Sequence, residues 1–172
     1  MPELIPVLKK DDIKHMVVQV ADRISSDYQD HELILIGVLK GAYIFLSDLV
    51  RQISIPVQVD FIGVSSYGSG TSSSGGIRLT KDIEIDVTNK NVLVIEDIVD
   101  TGLTLTYIVD YLKSFSPKTV KVCTLIDKRE RRRSKIKIDY ACHRVGEGFL
   151  VGYGLDYSED YRDLPEIYRL KL

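Results

Sequence analysis

The feature that most constrains the fold is the stretch at residues 91–106, which reads NVLVIEDIVDTGLTLT. It opens with a continuous apolar run at residues 92–95, which is typical of a parallel strand buried on both faces. Two carboxylates, Glu96 and Asp97, follow at once, and small polar residues then lead into a segment with helical periodicity. A strand, a short loop and a helix N-terminus predict an anion site, because backbone N–H groups and the helix dipole both favour negative charge there.

The paired acids narrow the kind of ligand that this site can hold. Carboxylates repel a bare phosphate, but they accept hydrogen bonds from hydroxyl groups and bind divalent cations. A phosphorylated sugar with bound Mg²⁺ satisfies both conditions. The alternative is an ordinary strand, loop and helix in which Asp100 or Thr101 only caps the helix. That alternative leaves the paired acids unexplained.

Predicted strands and helices alternate along the chain. Apolar runs or alternating patterns predict strands at residues 33–39, 57–61, 83–87, 120–126 and 149–153, of which 83–87 is expected to be half exposed. Helical periodicity predicts helices after Asp11 and Asp12, over residues 42–53, and from the central motif to about residue 115. This alternation predicts an α/β fold with a central, mostly parallel sheet flanked by helices. The length of 172 residues is expected to form one domain, 1–172.

Composition and charge exclude several classes of function. The chain is 44% hydrophobic and 28% charged, its apolar runs are too short to span a bilayer, and its first residues lack a signal-peptide pattern, so a cytoplasmic protein without a membrane partner is expected. A net charge of −2 argues against a nucleic-acid partner. Three scattered histidines argue against zinc. Neither a P-loop nor a dinucleotide-binding glycine motif is present.

Residues 96–102, EDIVDTG, resemble the phosphoribosyl-pyrophosphate (PRPP) motif of the type I phosphoribosyltransferases, and the flanking residues resemble the hypoxanthine-guanine phosphoribosyltransferases. The resemblance covers roughly residues 33–164. It implies the type I fold, with a small hood and a flexible Ser/Gly-rich active-site loop. It also implies purine salvage with Mg²⁺ as cofactor, in which hypoxanthine or guanine and PRPP give IMP or GMP and pyrophosphate. A homodimer or homotetramer is expected on the same ground.

The resemblance assigns the phosphate and metal sites to the central motif. The 5′-phosphate is expected to bind Asp100, Thr101, Gly102, Leu103 and Thr104. The implied metal ligands are Glu96, Asp97 and Asp156. Asp100 is the expected general base, which assists proton removal from the five-membered ring of the purine as N9 attacks C1 of the ribose.

The pyrophosphate site is expected to combine two loops and an arginine. The implied residues are Lys40, Gly41, Ser66, Tyr67 and Arg162. In the resembled family the peptide that corresponds to Leu39–Lys40 is cis. Ser66 and Tyr67 begin the Ser/Gly-rich loop at residues 65–76, which is expected to close over the site and exclude water, although disorder without function is the alternative. Without the resemblance, Lys40 and Arg162 would be interpreted as solvated surface residues.

The purine site is expected to involve Lys128, Phe149, Leu150 and Asp156. The Lys128 ammonium can donate to the exocyclic oxygen of a 6-oxopurine, Phe149 can stack on the ring, and Leu150 can offer backbone groups. By itself Phe149 would be interpreted as a core aromatic. In the basic run KRERRR at residues 128–133, one arginine is expected to support the site, and the choice between Arg131 and Arg132 stays open.

Two other functions remain open at this point. One is a phosphoribosyltransferase for xanthine, uracil or adenine, because residues 139–148 depart from the family pattern just before the base site. The other is a PRPP-sensing regulator with this fold.

Overall fold

The computed structural model describes residues 2–66 and 76–172. The strands are β1 (Glu3–Leu8), β2 (Leu33–Leu39), β3 (Val57–Ser66), β4 (Ile77–Lys81), β5 (Asn91–Val99), β6 (Thr119–Lys128), β7 (Tyr140–Val145), β8 (Phe149–Val151) and β9 (Ile167–Lys171). The helices are α1 (Lys10–Asp27), α2 (Tyr43–Val50) and α3 (Leu103–Lys113).

The main sheet has six strands in the order β4-β3-β2-β5-β6-β7. Strands β3, β2, β5, β6 and β7 run parallel, and among the described strands of this sheet only the edge strand β4 is antiparallel to its neighbour. This confirms the central, mostly parallel sheet. The central pair is β2 and β5, with Gly37 opposite Ile95, so their carboxyl ends meet at one edge of the sheet.

Strand β2 and residues 92–95 of β5 are apolar because both faces of the sheet are covered there. Leu33 and Leu35 pack into the core formed with α1 and α2. Ile34 and Ile36 point the other way, into the core formed with α3. All four side chains are at most 2% exposed. The alternation explains why these strands read as unbroken apolar runs.

A second, three-stranded sheet has the order β1-β9-β8 and is antiparallel throughout. It corresponds to the expected small hood. Strands β1 and β9 lacked a predictive pattern because their side chains are partly exposed and β1 contains Pro6. The Ser/Gly-rich loop, apart from its ends, lies outside the described residues.

The prediction of a strand at residues 83–87 is wrong. Asp60, which is 8% exposed, replaces a neighbouring strand as the hydrogen-bond partner of this segment. Its Oδ2 accepts hydrogen bonds from Glu84 N at 2.6 Å and from Ile85 N at 2.9 Å. The alternation arises because Ile83, Ile85 and Val87 pack against the α3 core without forming a strand.

Several predicted bounds shift by a few residues. The helix predicted over 42–53 is α2, which ends at Val50, and the central helix ends at Lys113 instead of near residue 115. Strand β3 continues to Ser66, whereas β8 ends at Val151. Within the described ranges, no helix combines the length and apolar character that a membrane crossing requires.

Candidate active site

A cavity of about 260 Å³ opens where the carboxyl ends of β2 and β5 meet. It lies at the edge of the parallel sheet where ligands of open α/β folds bind. Its described lining consists of Val38, Leu39, Gly41, Val64, Glu96, Asp97, Ile98, Val99, Asp100, Thr101, Gly102, Thr104 and Leu105. The central motif and the Gly41 loop are therefore brought together, as the sequence predicted.

The backbone of the loop that leads into α3 can bind an anion. Gly102 is the N-cap of the helix and has a φ of +82°, a left-handed conformation that favours glycine. A Cβ at this position would lie 2.3 Å from Ser134 Oγ. Because glycine offers no capping side chain, the N–H groups of the first turn remain available to a ligand, apart from a 3.4 Å contact between Leu103 N and Thr101 Oγ1.

The paired acids line the cavity. Glu96 is 7% exposed and accepts a hydrogen bond from Asp97 N at 3.1 Å. Burial raises the pKa of both carboxyl groups, and the adjacent Asp97 charge raises the pKa of Glu96 further. A divalent cation would reverse this effect by stabilising both ionised forms.

The donor set suits Mg²⁺ with a phosphorylated ligand. Across residues 2–66 and 76–172, no cluster of three or more His, Cys, Asp or Glu side chains could hold a metal by itself. Glu96 and Asp97 can supply two carboxylates, which is the usual protein share for Mg²⁺ when a substrate phosphate and water complete the shell. Gly41 keeps the approach open, because a Cβ there would lie 1.8 Å from Asp97 Oδ2.

Asp100 directly follows β5. It does not cap α3, because the N-cap of that helix is Gly102. Its Oδ1 atom is buried and has no hydrogen-bond partner among the described residues. Its Oδ2 atom lies 3.4 Å from Arg131 Nη1, and its backbone oxygen accepts a hydrogen bond from Arg132 Nε at 2.9 Å. Both arginines therefore contact Asp100, one at the side chain and the other at the backbone.

Arg132 joins the ends of β5 and β6. Its Nη2 atom lies 2.5 Å from Asp127 Oδ1 and also donates to the backbone oxygens of Val99 and Lys128 at 3.2 and 3.3 Å. Asp127 is 1% exposed. Burial raises the pKa of Asp127, but the hydrogen bonds from Arg132 and Arg129 outweigh that effect and leave the pKa below its usual range.

The Leu39–Lys40 peptide bond is cis, as the resemblance implied. The segment after β8 lies directly against this loop, since a Cβ on Gly154 would lie 2.3 Å from the Gly41 oxygen. Arg162 Nη1 donates to the Gly154 oxygen at 2.7 Å, and Arg162 Nη2 lies 3.4 Å from Asp156 Oδ1. Four residues predicted to bind pyrophosphate or metal thus share one region: Lys40, Gly41, Asp156 and Arg162.

Ser66 lies at the exposed end of β3. Tyr67, predicted to act beside it, lies outside the described residues, as do residues 68–75 of the Ser/Gly-rich loop.

The residues predicted to bind the purine come from both sheets: Lys128 is the last residue of β6, Phe149 and Leu150 lie in β8, and Asp156 follows β8. Lys128 is 7% exposed and is paired with Val145, four residues before Phe149. Phe149 is 48% exposed and meets Tyr157 edge-on, with ring centroids 5.6 Å apart, so it is not a core aromatic. The Leu150 side chain is buried, but β8 is an edge strand of the small sheet, so one side of its backbone carries no strand partner there.

A family model for the phosphoribosyl transferase domain matches residues 8–158. Over 166 residues the chain is 47% identical to the hypoxanthine-guanine phosphoribosyltransferase of Aquifex aeolicus, covering 96% of this chain and 93% of that protein. The chain belongs to the hypoxanthine-guanine phosphoribosyltransferase family. A relative of the same name from Bacillus subtilis is 42% identical over 165 residues, covering 96% and 92% of the two chains.

Solved structures of the family share the whole fold. The crystal structure of a Bacillus anthracis hypoxanthine-guanine phosphoribosyltransferase with HEPES in the active site has a TM-score of 0.94, with 38% identity and full coverage of both chains. A Staphylococcus aureus hypoxanthine phosphoribosyltransferase structure has a TM-score of 0.93 and 40% identity, covering 96% of this chain and 90% of that one. The predicted fold and enzyme family are confirmed.

The sequence did not predict three residues that contact the predicted site residues or the arginines beside them. Asp127 belongs to none of the predicted sites, although a charged residue at the end of an apolar strand and just before several arginines can indicate a buried ion pair. Tyr157 packs against Phe149, and Glu159 contacts two predicted pyrophosphate residues. No pattern in the sequence connects these two residues to their partners.

Proposed function

We propose that this chain transfers the 5-phosphoribosyl group of PRPP to N9 of hypoxanthine or guanine, giving IMP or GMP and pyrophosphate in purine salvage. The observation that carries the proposal is the convergence at one sheet edge of a glycine-capped helix start, a carboxylate pair of which Glu96 is buried and Asp97 half-buried, and a lysine–arginine cluster. A 5′-phosphate, ribose hydroxyls with a cation, and a pyrophosphate each find a chemically matched group there. The names of the relatives support the same reaction.

The 5′-phosphate is assigned to residues 100–104 of the loop and first turn: Asp100, Thr101, Gly102, Leu103 and Thr104. Phosphate oxygens would accept hydrogen bonds from the N–H groups that glycine leaves uncapped.

Mg²⁺ is assigned to Glu96, Asp97 and Asp156. Bound with the substrate, it would neutralise charge on the pyrophosphate group. The support is the adjacent pair itself, because two neighbouring carboxyl groups with raised pKa values favour a cation that lets both ionise.

Asp100 is assigned as general base. Its buried Oδ1 atom has no partner among the described residues and faces no competitor for a proton from the purine. The Asp100→Asn variant should therefore lose turnover with little change in PRPP binding, and unchanged turnover would remove Asp100 from the role.

The purine is assigned to Lys128, Phe149, Leu150 and Asp156. Lys128 can donate to the exocyclic oxygen, the exposed face of Phe149 can stack on the ring, and the open edge of β8 can offer Leu150 backbone groups. Lys128 favours a 6-oxopurine, because an ammonium donates to an oxygen and not to an amino group.

Pyrophosphate is assigned to Lys40, Gly41, Arg162, Ser66 and Tyr67. The support is the clustering of Lys40, Gly41 and Arg162 around the cis peptide. Ser66 and Tyr67 are proposed on the family resemblance alone.

The decisive experiment is a PRPP-dependent assay with hypoxanthine, guanine, xanthine, adenine and uracil in separate reactions, with and without Mg²⁺. Turnover with hypoxanthine or guanine supports the proposal. Turnover only with xanthine, adenine or uracil would assign a different base to the same site. Tight PRPP binding without turnover would favour a regulator, which duplex DNA binding at physiological salt would then test.

We further propose that residues 1–172 act as one catalytic domain, in a cytoplasmic homodimer or homotetramer. The small sheet supports the single domain, because it joins β1 to β9 across the chain. Two free cysteines, Cys123 and Cys142, fit a reducing compartment. Size-exclusion chromatography with light scattering would measure the assembly.

A further inference from the structure

The Glu159 carboxylate bridges the two cations assigned to pyrophosphate. Its Oε2 atom lies 2.9 Å from Lys40 Nζ, and its Oε1 atom lies 3.1 Å from Arg162 Nη2. Each carboxylate oxygen therefore accepts from a different cation, as two oxygens of a pyrophosphate could. These hydrogen bonds, first from Lys40 and then from Arg162, hold the pKa of Glu159 below its usual range, so the side chain is anionic at neutral pH.

The backbone presents Glu159 at the tip of a tight turn. Tyr157 and Asp160 exchange two backbone hydrogen bonds of 3.0 Å, which leaves Ser158 and Glu159 as a two-residue loop. Both have positive φ values, 50° and 71°, as such a turn requires, although neither is glycine. The Glu159 N–H also donates to Asp156 Oδ2 at 2.9 Å. The turn therefore fixes the position from which the carboxylate reaches the cations.

Arg162 keeps an unsatisfied hydrogen-bond donor while it contacts Glu159. Its side chain is 18% exposed, and its Nε atom is buried without a hydrogen-bond partner among the described residues. Glu159 itself is 62% exposed on the side chain, and so is free to swing into solvent when another anion arrives.

We propose that Glu159 is an internal competitor of pyrophosphate, which occupies Lys40 and Arg162 between turnovers and lowers the affinity of the site for the pyrophosphate group. The inference rests on the proposed function, since it takes Lys40 and Arg162 as the pyrophosphate-binding cations. Glu159 thus lowers the affinity for pyrophosphate, whereas Lys40 and Arg162 raise it. By returning to the cations, Glu159 also promotes release of the product.

The test compares wild type with Glu159→Gln and Glu159→Ala, using magnesium pyrophosphate as the titrant in calorimetry. Both variants should bind it about two- to tenfold more tightly, since exposed ion pairs have modest energies and two of them are removed. The KM for PRPP should fall in parallel, while the KM for the purine stays unchanged. If Glu159 had only a structural role, its loss would weaken the binding of both PRPP and the purine.

The matched control is Asp160→Asn, which removes the same charge from the adjacent residue, an exposed position with no side-chain ion pair in the described part of the chain. It should leave pyrophosphate affinity unchanged, which separates a contact effect from long-range charge. Thermal unfolding of each variant establishes that the fold is intact. Unchanged or weaker pyrophosphate binding in both Glu159 variants would overturn the proposal, weaker binding showing that Glu159 organises the cations instead.

The assay also separates failure of this inference from failure of the proposed function. Wild-type turnover with PRPP and a purine, together with unaltered pyrophosphate affinity in the variants, refutes the role of Glu159 alone. Absence of wild-type turnover and of pyrophosphate binding refutes both.

Discussion

Replacing Arg132 by alanine should destabilise the protein severely, because it leaves a buried carboxylate without its main partner. Asp127 is 1% exposed, and the Arg132 side chain that faces it at 2.5 Å is 16% exposed. Removing one member of a buried ion pair costs about 3–5 kcal/mol. Arg129 and Arg144 remain within 3.0 and 3.8 Å of Asp127, which places the expected loss near the lower limit of that range. Urea unfolding followed by circular dichroism at neutral pH would measure it.

The chain supplies a matched control in Arg129, which contacts the same carboxylate but has a side chain that is 58% exposed. Arg129→Ala should cost at most about 1 kcal/mol, because solvent screens an exposed pair. Equal losses in the two alanine variants would refute the reasoning. A second readout follows from the contact between Arg132 Nε and the Asp100 oxygen: turnover of folded Arg132→Ala should fall by up to about a hundredfold through misplacement of the central loop.

Three further outcomes are expected. Gly41→Ala should reduce Mg²⁺-dependent turnover at least about tenfold, because its Cβ would lie 1.8 Å from Asp97 Oδ2; a full-activity variant with normal thermal unfolding would contradict this. Burial raises the pKa of Asp60, but backbone N–H donors outweigh it and leave the pKa lowered. The stability that Asp60 adds is therefore complete above its unfolded pKa of about 3.9 and disappears as pH falls through the folded value, so unfolding curves of wild type and Asp60→Asn should converge in acid. Phe149→Ala should raise the KM for the purine about tenfold, because the exposed ring face is lost for stacking. The KM for PRPP and the unfolding midpoint should stay nearly unchanged, because the ring is 48% exposed and meets Tyr157 edge-on. Equal changes in both KM values would contradict stacking.

The parts of the fold that sequence predicted best are those buried on both sides. The side chains of β2 and β5 alternate between two cores, and this double burial demands an unbroken apolar run that no exposed segment imitates. The order strand, acid pair, glycine and helix predicted the largest part of the candidate site, because residues 96–105 of its lining follow one another along the chain, whereas Val38, Leu39, Gly41 and Val64 come from other strands and loops. Family resemblance supplied the cis peptide, which no local pattern could have indicated.

The remaining features depend on partners that are far apart in sequence. The segment at residues 83–87 alternates because one side of it is buried, yet its N–H groups bond Asp60 instead of a strand. A periodic pattern reports which side chains are covered and does not report where the backbone groups find their partners. The bridge from Lys40 to Glu159 spans 119 positions and is likewise invisible until the chain is folded.

Strand β9 lies between β1 and β8, with Lys171 opposite Glu3 and Leu170 opposite Phe149. On the ribosome, the described strands of the main sheet have left the exit tunnel before β9 does, so the cavity at the ends of β2 and β5 can form while the small sheet still lacks its middle strand. Until β9 is available, neither β1 nor β8, the strand that contains Phe149, has its pairing partner. A chain that stops after Glu166 should accordingly keep the cavity at the ends of β2 and β5 and lose the small sheet that carries Phe149, the residue proposed to stack on the base. The last strand is therefore required for the proposed purine site but not for the cavity.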